Sequence, residues 1–405
     1  MTRTVRTLVV AGHGMAGHRL VAELRGLDAA GAWRVVVLGE EPHPAYDRVA
    51  LSSYLDGRSA ADLALAGPGS HDPLLELRLN TGVAAVDRAA HTVTTTAGDV
   101  VAYDALVLAT GSRPFVPPVP GHDLPGCFGY RSLGDLDAIR AAAVPGRPGV
   151  VIGGGLLGLE AVNALRLLGM EPHVVELAPR LMPLQVDAAG GGVLGRRVAR
   201  RGLRIHCGVA TAAITAGPDG RVASVVLADG SSLAADVVVF SAGVRPRDEL
   251  AGPAGLARGE RGGFLVDELC RTQDERIWAI GECAAVSGRC HGLAAPGYRM
   301  ATSVARQLLG LGGEPFGEAD LSTRLKLLGV EVASFGDAHA AAAGAVELSR
   351  LDEAAGTYAK LVLDADCRTL LGGILVGDAR AYGELRPYVG LGLPAAGHRL
   401  LAGTA

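Results

Sequence analysis

Leu8-Val9-Val10-Ala11-Gly12-His13-Gly14-Met15-Ala16-Gly17 is an apolar run that breaks into three glycines at fixed spacing. Thr7–Ala11 reads as a strand, the glycines as a tight turn, and the residues to about Leu27 as a helix. Arg34–Leu38 is a second buried strand leading to Glu40, 28 residues after Gly12. The pattern recurs. Val150–Ile152 runs into Gly153-Gly154-Gly155-Leu156-Leu157-Gly158, a helix follows to Leu168, and His173–Val175 leads to Glu176, 23 residues after Gly153. With 58 glycines in 405 residues, three at this spacing arise roughly once per chain by accident. Gly190-Gly192-Gly195 is that accident, with no strand before it and no acidic strand end after it. Requiring three apolar residues before the motif cuts the accidental rate to about 0.1 per chain. The other two matches are therefore genuine β-turn-α-β units.

Each position has a physical job. Gly12 and Gly153 allow the tight turn, Gly14 and Gly155 let backbone N–H groups reach a pyrophosphate, and Gly17 and Gly158 seat the helix on the strand. Met15-Ala16 and Leu156-Leu157 open the helices, where free donors and a partial positive charge face the phosphates. Glu40 and Glu176 can each accept from an adenosine ribose hydroxyl; the plainer alternative is a surface Glu at a strand end. A 2′-phosphate would meet like charge at Glu176, which favours NADH, while Arg180 is near enough to keep NADPH possible. Two dinucleotide folds in one chain imply FAD plus NAD(P)H, with hydride passing from nicotinamide to flavin.

The rest of the chain narrows the class. Net charge is −4, with no basic excess that would suit nucleic acid or an anionic membrane. Val150–Gly169 is the longest apolar stretch, but its glycines, Glu160 and Arg166 disqualify it as a membrane span. Arg3 and Arg6 precede an apolar run that Gly12 ends too early for a signal peptide, so a cytoplasmic protein is expected. Six scattered cysteines (Cys127, Cys207, Cys270, Cys283, Cys290, Cys367) form no CxxC, so no metal or iron–sulfur site is expected and a disulfide reductase is excluded. Lysine occurs only at 326 and 360.

The expected architecture is α/β, with two Rossmann-like domains and a small C-terminal α+β domain. The FAD-binding domain takes 1–112 and 245–320, the NAD(P)H-binding domain 113–244, and the C-terminal domain 321–405. Tyr103–Ala109, Asp236–Ser241, 264–266 and 277–280 read as further strands, and the prolines from Pro114 to Pro120 as a linker. Ala345–Leu351, Thr357–Leu363 and Leu370–Val376 read as a three-strand antiparallel module with a helix from about Arg380.

In this order and spacing the remaining motifs resemble the two-dinucleotide flavoprotein reductases. Ala109-Thr110-Gly111 is similar to the return strand beneath the FAD site, and Ala242-Gly243-Val244-Arg245-Pro246 to its counterpart after the NAD domain. Ile277-Trp278-Ala279-Ile280-Gly281-Glu282 resembles the second FAD motif, whose acidic residue, here Glu282, binds the ribityl hydroxyls. Tyr46-Asp47-Arg48 resembles the flavin-side loop of ferredoxin and rubredoxin reductases, with Arg48 near the pyrophosphate. Ser52, Val83 and Tyr298 join the FAD set by the same resemblance. A narrower likeness spans residues 12–19, 40–55, 130–139, 153–161, 295–301, 325–332 and 370–385. These runs resemble the flavin region of the large subunit of NAD(P)H-dependent assimilatory nitrite reductase and the electron-transfer subunits of bacterial nitrate assimilation. Two departures stand out: the chain ends at Ala405 without the cysteine cluster of that large subunit, and Ser53 stands where ferredoxin reductases carry Lys, as it does in the nitrite-reductase group.

The resemblance implies that Glu160 lies between nicotinamide and flavin, that Arg131 lies on the same side of the isoalloxazine, and that the strand bearing Lys326 packs over it. The plainer alternatives are a first-turn helix carboxylate, a loop Arg and a surface lysine. Three functions compete: a reductase feeding a separate iron–sulfur or haem protein in nitrite or nitrate assimilation, a self-contained flavin NADH oxidase or biosynthetic reductase, and a non-catalytic NADH-sensing protein. The expected assembly is a monomer or homodimer.

Overall fold

The computed structural model describes residues 5–67, 72–317, 319–327, 329–393 and 397. Arg3 and Ala405, named above, and residue 328 of the run 325–332 lie outside the described residues. The chain forms two compact units: Met1–Arg113 with Val244–Ala319, and Pro114–Gly243 with Asp320–Ala405.

In the first unit five parallel strands lie in the order Ile277–Ala279, Ala105–Leu108, Arg6–Ala11, Trp33–Leu38, Leu75–Arg78. Leu8, Val9 and Val10 are wholly buried, as a strand covered on both faces requires. The helix Met15–Leu27 buries Gly17, Leu20, Val21 and Leu24 and packs beside the helix Ala294–Leu308. That spacing of three and four is the apolar stripe of a surface helix. An antiparallel ribbon, Val83–Asp87, Thr92–Thr95 and Val100–Ala102, completes the unit's main sheets.

The second unit has the strands Arg204–Cys207, Glu171–Glu176, Pro148–Ile152, Val237–Phe240 and Cys127–Gly129, again all parallel. Four of them repeat the order of the first sheet, while the edge strand Cys127–Gly129 precedes the glycine motif in sequence where Ile277–Ala279 follows it. In both sheets the chain leaves the central strand to one side and returns on the other. A crevice at the carboxyl ends of the strands follows from that reversal. The accidental motif lies elsewhere: Gly190, Gly192 and Gly195 sit inside the helix Ala188–Ala199, which Asp187 caps by accepting from Gly190 N at 2.9 Å.

The C-terminal sheet has five antiparallel strands, not three, in the order Thr323–Leu327, Val330–Gly336, Leu370–Val376, Thr357–Leu363, Val346–Asp352. Val330–Gly336 has Ala333-Ser334 at its centre, weak strand formers that owe their conformation to pairing on both sides. The helix expected from about Arg380 is short, covering Tyr382–Leu385 before a 3₁₀ turn at Arg386–Tyr388. No helix among the described residues is long and apolar enough to cross a membrane.

Candidate functional site

Both glycine motifs build the same object. Gly12 N donates to Leu38 O and Gly153 N to Val175 O, each at 2.8 Å, tying the turn to the neighbouring strand. Gly12 and Gly153 have φ of +115° and +112°, and a Cβ on either would collide with the carbonyl of Ala109 or Ser241. A Cβ on Gly17 or Gly158 would strike the carbonyl of Gly12 or Gly153, so helix and turn are in direct contact. Gly14 and Gly155 differ: nothing lies within 4 Å of a Cβ placed there. Each is an N-cap without a side-chain cap, and neither following first turn holds an acid. The protein leaves room beside each N-cap glycine, at the helix terminus whose first N–H groups have no intrahelical acceptor, as a pyrophosphate cradle requires.

The residues expected on the FAD side all lie in the unit that carries the first cradle. Gly281, at φ +76°, stands so near the opening helix that its Cβ would lie 3.0 Å from that of Ala16. Ser112 Oγ donates to the Glu282 carboxylate at 2.9 Å, and Thr110 Oγ1 donates to Arg247 O at 2.5 Å. Glu40 is ion-paired with Arg247, whose hydrogen bond holds its carboxyl below the usual range. Arg48 is ion-paired with Glu41, while Tyr46 Oη donates to Glu41 at 2.7 Å and accepts from Arg48 at 2.9 Å. Val83 opens its strand beside Gly82, whose Cβ would lie 3.8 Å from Glu40. Ser52 starts the short helix Ser52–Leu55. Tyr298 lies on the helix Ala294–Leu308 with the Arg19 guanidinium 6.0 Å over its ring.

In the second cradle Glu176 is already engaged: it accepts from Gly154 N at 2.6 Å and Ala178 N at 2.8 Å. Both carboxylate oxygens are therefore oriented, with lone pairs left for a ribose. Ala242-Gly243 follows the strand Val237–Phe240, with Gly243 at φ +109° facing open space. Glu160 lies in the second turn of the helix Leu156–Leu167 and is 7% exposed. Its Oε2 has no hydrogen-bond partner among the described residues, and burial pushes its carboxyl up to about 7. Arg131 is partly buried, and its backbone N donates to Asp135 at 3.0 Å.

The two lysines have contrasting settings. Lys326 is 76% exposed and 3.7 Å from Glu331. Lys360 is 2% exposed, 3.0 Å from Asp187 and 3.4 Å from Glu347. All six thiols are free, and burial raises the pKa of Cys127 and Cys207 to about 11 and of Cys270 and Cys290 to about 12. Among the described residues no cluster of ligating side chains could hold a metal.

Three groups escaped the sequence reading. Tyr130 is buried, with a hydroxyl that has no partner among the described residues; burial and then the Glu160 charge raise its pKa. It adjoins Arg131, but an aromatic beside a loop Arg gives no sign of being orphaned. His13 sits at the unconstrained second position of the first motif, where burial drives its imidazole down to about 4. Arg247 is the third.

The family model of the pyridine nucleotide-disulphide oxidoreductases matches residues 6–307, and that of the rubredoxin NAD+ reductase C-terminal domain matches residues 322–390. The nitrite reductase [NAD(P)H] large subunit of Klebsiella oxytoca is 49% identical over 97% of this chain and 41% of its own length. The assimilatory nitrate reductase electron transfer subunit of Bacillus subtilis is 35% identical over 92% of this chain and 48% of its own. This chain thus spans less than half the length of either relative. A ferredoxin reductase from Rhodopseudomonas palustris has a similar structure, with a TM-score of 0.84 at 29% identity, covering 96% of each chain.

Proposed function

Since the chain belongs to the pyridine nucleotide-disulphide oxidoreductase family, we propose that it works as the flavin module of an electron-transfer system. It is an FAD-dependent NAD(P)H oxidoreductase. We assign the unit Met1–Arg113 with Val244–Ala319 to FAD and the parallel-sheet domain of Pro114–Gly243 to NADH, with Asp320–Ala405 as a C-terminal domain. The observation that carries the reading is the duplicated cradle, with the same order of the four strands around it, the same turn and an open N-cap glycine in each.

Bound FAD supplies the chemistry, accepting a hydride and releasing electrons singly. The chain supplies grip and geometry. Backbone N–H groups after Gly14 and Gly155 would hold the two pyrophosphates, Glu40 and Glu176 the adenosine riboses, and Glu282, steadied by Ser112, the ribityl hydroxyls. Arg48, Ser52, Val83, Ala109-Thr110-Gly111 and Tyr298 complete the FAD side. Glu160, Arg131 and Lys326 remain the candidates for placing nicotinamide against flavin. Glu160 is buried and titrates near neutrality, so it can hold a proton there.

The words nitrite reductase and nitrate reductase electron transfer subunit in the relatives' names support a place in nitrite or nitrate assimilation. We propose a separate iron–sulfur or haem protein as the acceptor, and a cytoplasmic location. The test is anaerobic reduction of the purified yellow protein by NADH, followed by turnover with O₂, with ferricyanide and with a nitrite- or nitrate-reducing partner. Fast turnover with ferricyanide and the partner, and slow turnover with O₂, is expected. Turnover fastest with O₂ would make the chain an oxidase instead. Failure of the flavin to bleach with NADH would leave a sensor.

A further inference from the structure

We infer that Arg247 belongs to the FAD site as a positioning residue, its guanidinium holding the Glu40 carboxylate in place for the adenosine ribose. The inference rests on the assignment of the first cradle to FAD. Arg247 lies 207 positions along the chain from Glu40, yet Nη1 donates to Glu40 Oε2. Its backbone is fixed first. Arg247 N donates to Gly111 O at 2.9 Å, and Thr110 Oγ1 donates to Arg247 O at 2.5 Å. Thr110-Gly111 is the segment directly after Ala109, whose carbonyl lies against Gly12. Arg247 is thereby anchored to the cradle itself and reaches Glu40 from there.

Charge explains the need. Glu40, Glu41 and Glu282 gather near a cradle that must take a doubly negative pyrophosphate, and uncompensated carboxylates would repel it. Glu41 has Arg48, and Glu282 has the Ser112 hydroxyl. Arg247 is the cation for Glu40. The acidic groups acting on Arg247 are Glu40, Glu249 and Glu41, and Glu249 is itself 3.7 Å from Arg113. The bond to Arg247 uses Oε2, which leaves Oε1 to accept from a ribose hydroxyl. Glu40 is 56% exposed, so the pair adds little to folding stability. Its effect falls on the direction and ionisation of the carboxylate.

The experiment measures the FAD dissociation constant of FAD-stripped protein by flavin fluorescence, from about pH 8 to about pH 4, for the parent, Arg247→Gln, Arg247→Lys, Glu40→Gln and the double variant. Arg247→Gln should bind FAD about tenfold more weakly at neutral pH. The pH at which affinity falls away should move up, because Glu40 returns toward the ordinary carboxylate range. Arg247→Lys should restore that midpoint, and it supplies a foldable variant should Gln lower the melting temperature of the FAD-free protein. The double variant should bind no more weakly than Glu40→Gln alone, since both changes break one interaction. Unchanged FAD affinity in Arg247→Gln, or additive losses with an unmoved midpoint, would overturn the inference. A parent that takes up no FAD at all would instead sink the flavin reading.

Discussion

Glu160 is where a single side chain carries the most consequence. Its folded pKa, about 7 against the ordinary 4.5, means the native state holds a proton that the unfolded chain releases. Stability tied to this group is fully present below about pH 4.5 and lost as pH rises to about 7, by no more than about 3.5 kcal/mol. Glu160→Gln should therefore flatten that limb and make the FAD-loaded protein more stable at about pH 8, as thermal melts across pH will read. The same variant should lose any inflection near neutrality in the rate of flavin reduction by NADH; a retained inflection would move the titration to another group. At Glu176 the structure sharpens a second expectation. NADH should have the higher kcat/KM, and Glu176→Ala should narrow its lead over NADPH, because removing the carboxylate frees Gly154 N and Ala178 N for a 2′-phosphate. A parent that already prefers NADPH would refute the role given to Glu176.

Among elements, the glycine turns divide into positions that fold the chain and positions that admit a ligand. Gly14→Ala and Gly155→Ala meet open space at extended or ordinary φ, so the ligand-free protein should lose no more than about 1 kcal/mol. Gly14→Ala should nonetheless weaken FAD at least tenfold and Gly155→Ala should raise the KM for NADH, each sparing the other cofactor. Gly12→Ala and Gly17→Ala should cost more than about 3 kcal/mol through collision with backbone. Similar melting temperatures for all four variants would contradict this division. The C-terminal sheet offers a second test. Asp187 caps the helix Ala188–Ala199 with one oxygen and takes Tyr358 Oη at 2.7 Å and Lys360 Nζ at 3.0 Å with the other. Lys360→Met leaves that carboxylate short of a cation and should cost about 2–3 kcal/mol, less than a fully buried pair because Asp187 keeps some exposure. Lys326→Arg, on an exposed side chain, should stay within about 0.5 kcal/mol. Equal melting temperatures for the two variants would show that the buried lysine contributes nothing.

For the whole molecule, the proposed reductase would pass its electrons out from the flavin, since all six thiols are free and burial raises the pKa of Cys127, Cys207, Cys270 and Cys290. Replacing all six cysteines by Ser should leave NADH-to-ferricyanide transfer intact, apart from packing losses at buried Cys270 and Cys283. A folded, FAD-loaded variant without hydride transfer would reveal a thiol role. Both cradles and their acidic strand ends were legible in the sequence. Glycine spacing, apolar runs and the next strand all fall within about thirty residues, and the backbone rules that govern a tight turn act over that same short range. Other features took the folded chain to decide. Two strands of the C-terminal sheet exist because neighbours pair with them, and Val330–Gly336 alone reads as weak. Of two lysines that look alike in sequence, tertiary packing buries Lys360 and exposes Lys326. Glu160 becomes a near-neutral acid only once its oxygen is buried without a partner. Arg247 reaches Glu40 only because the first unit is assembled from two separated stretches of chain. Sequence determines what adjacent residues can do together; burial and charge pairing depend on which distant segments meet, and that is settled by packing.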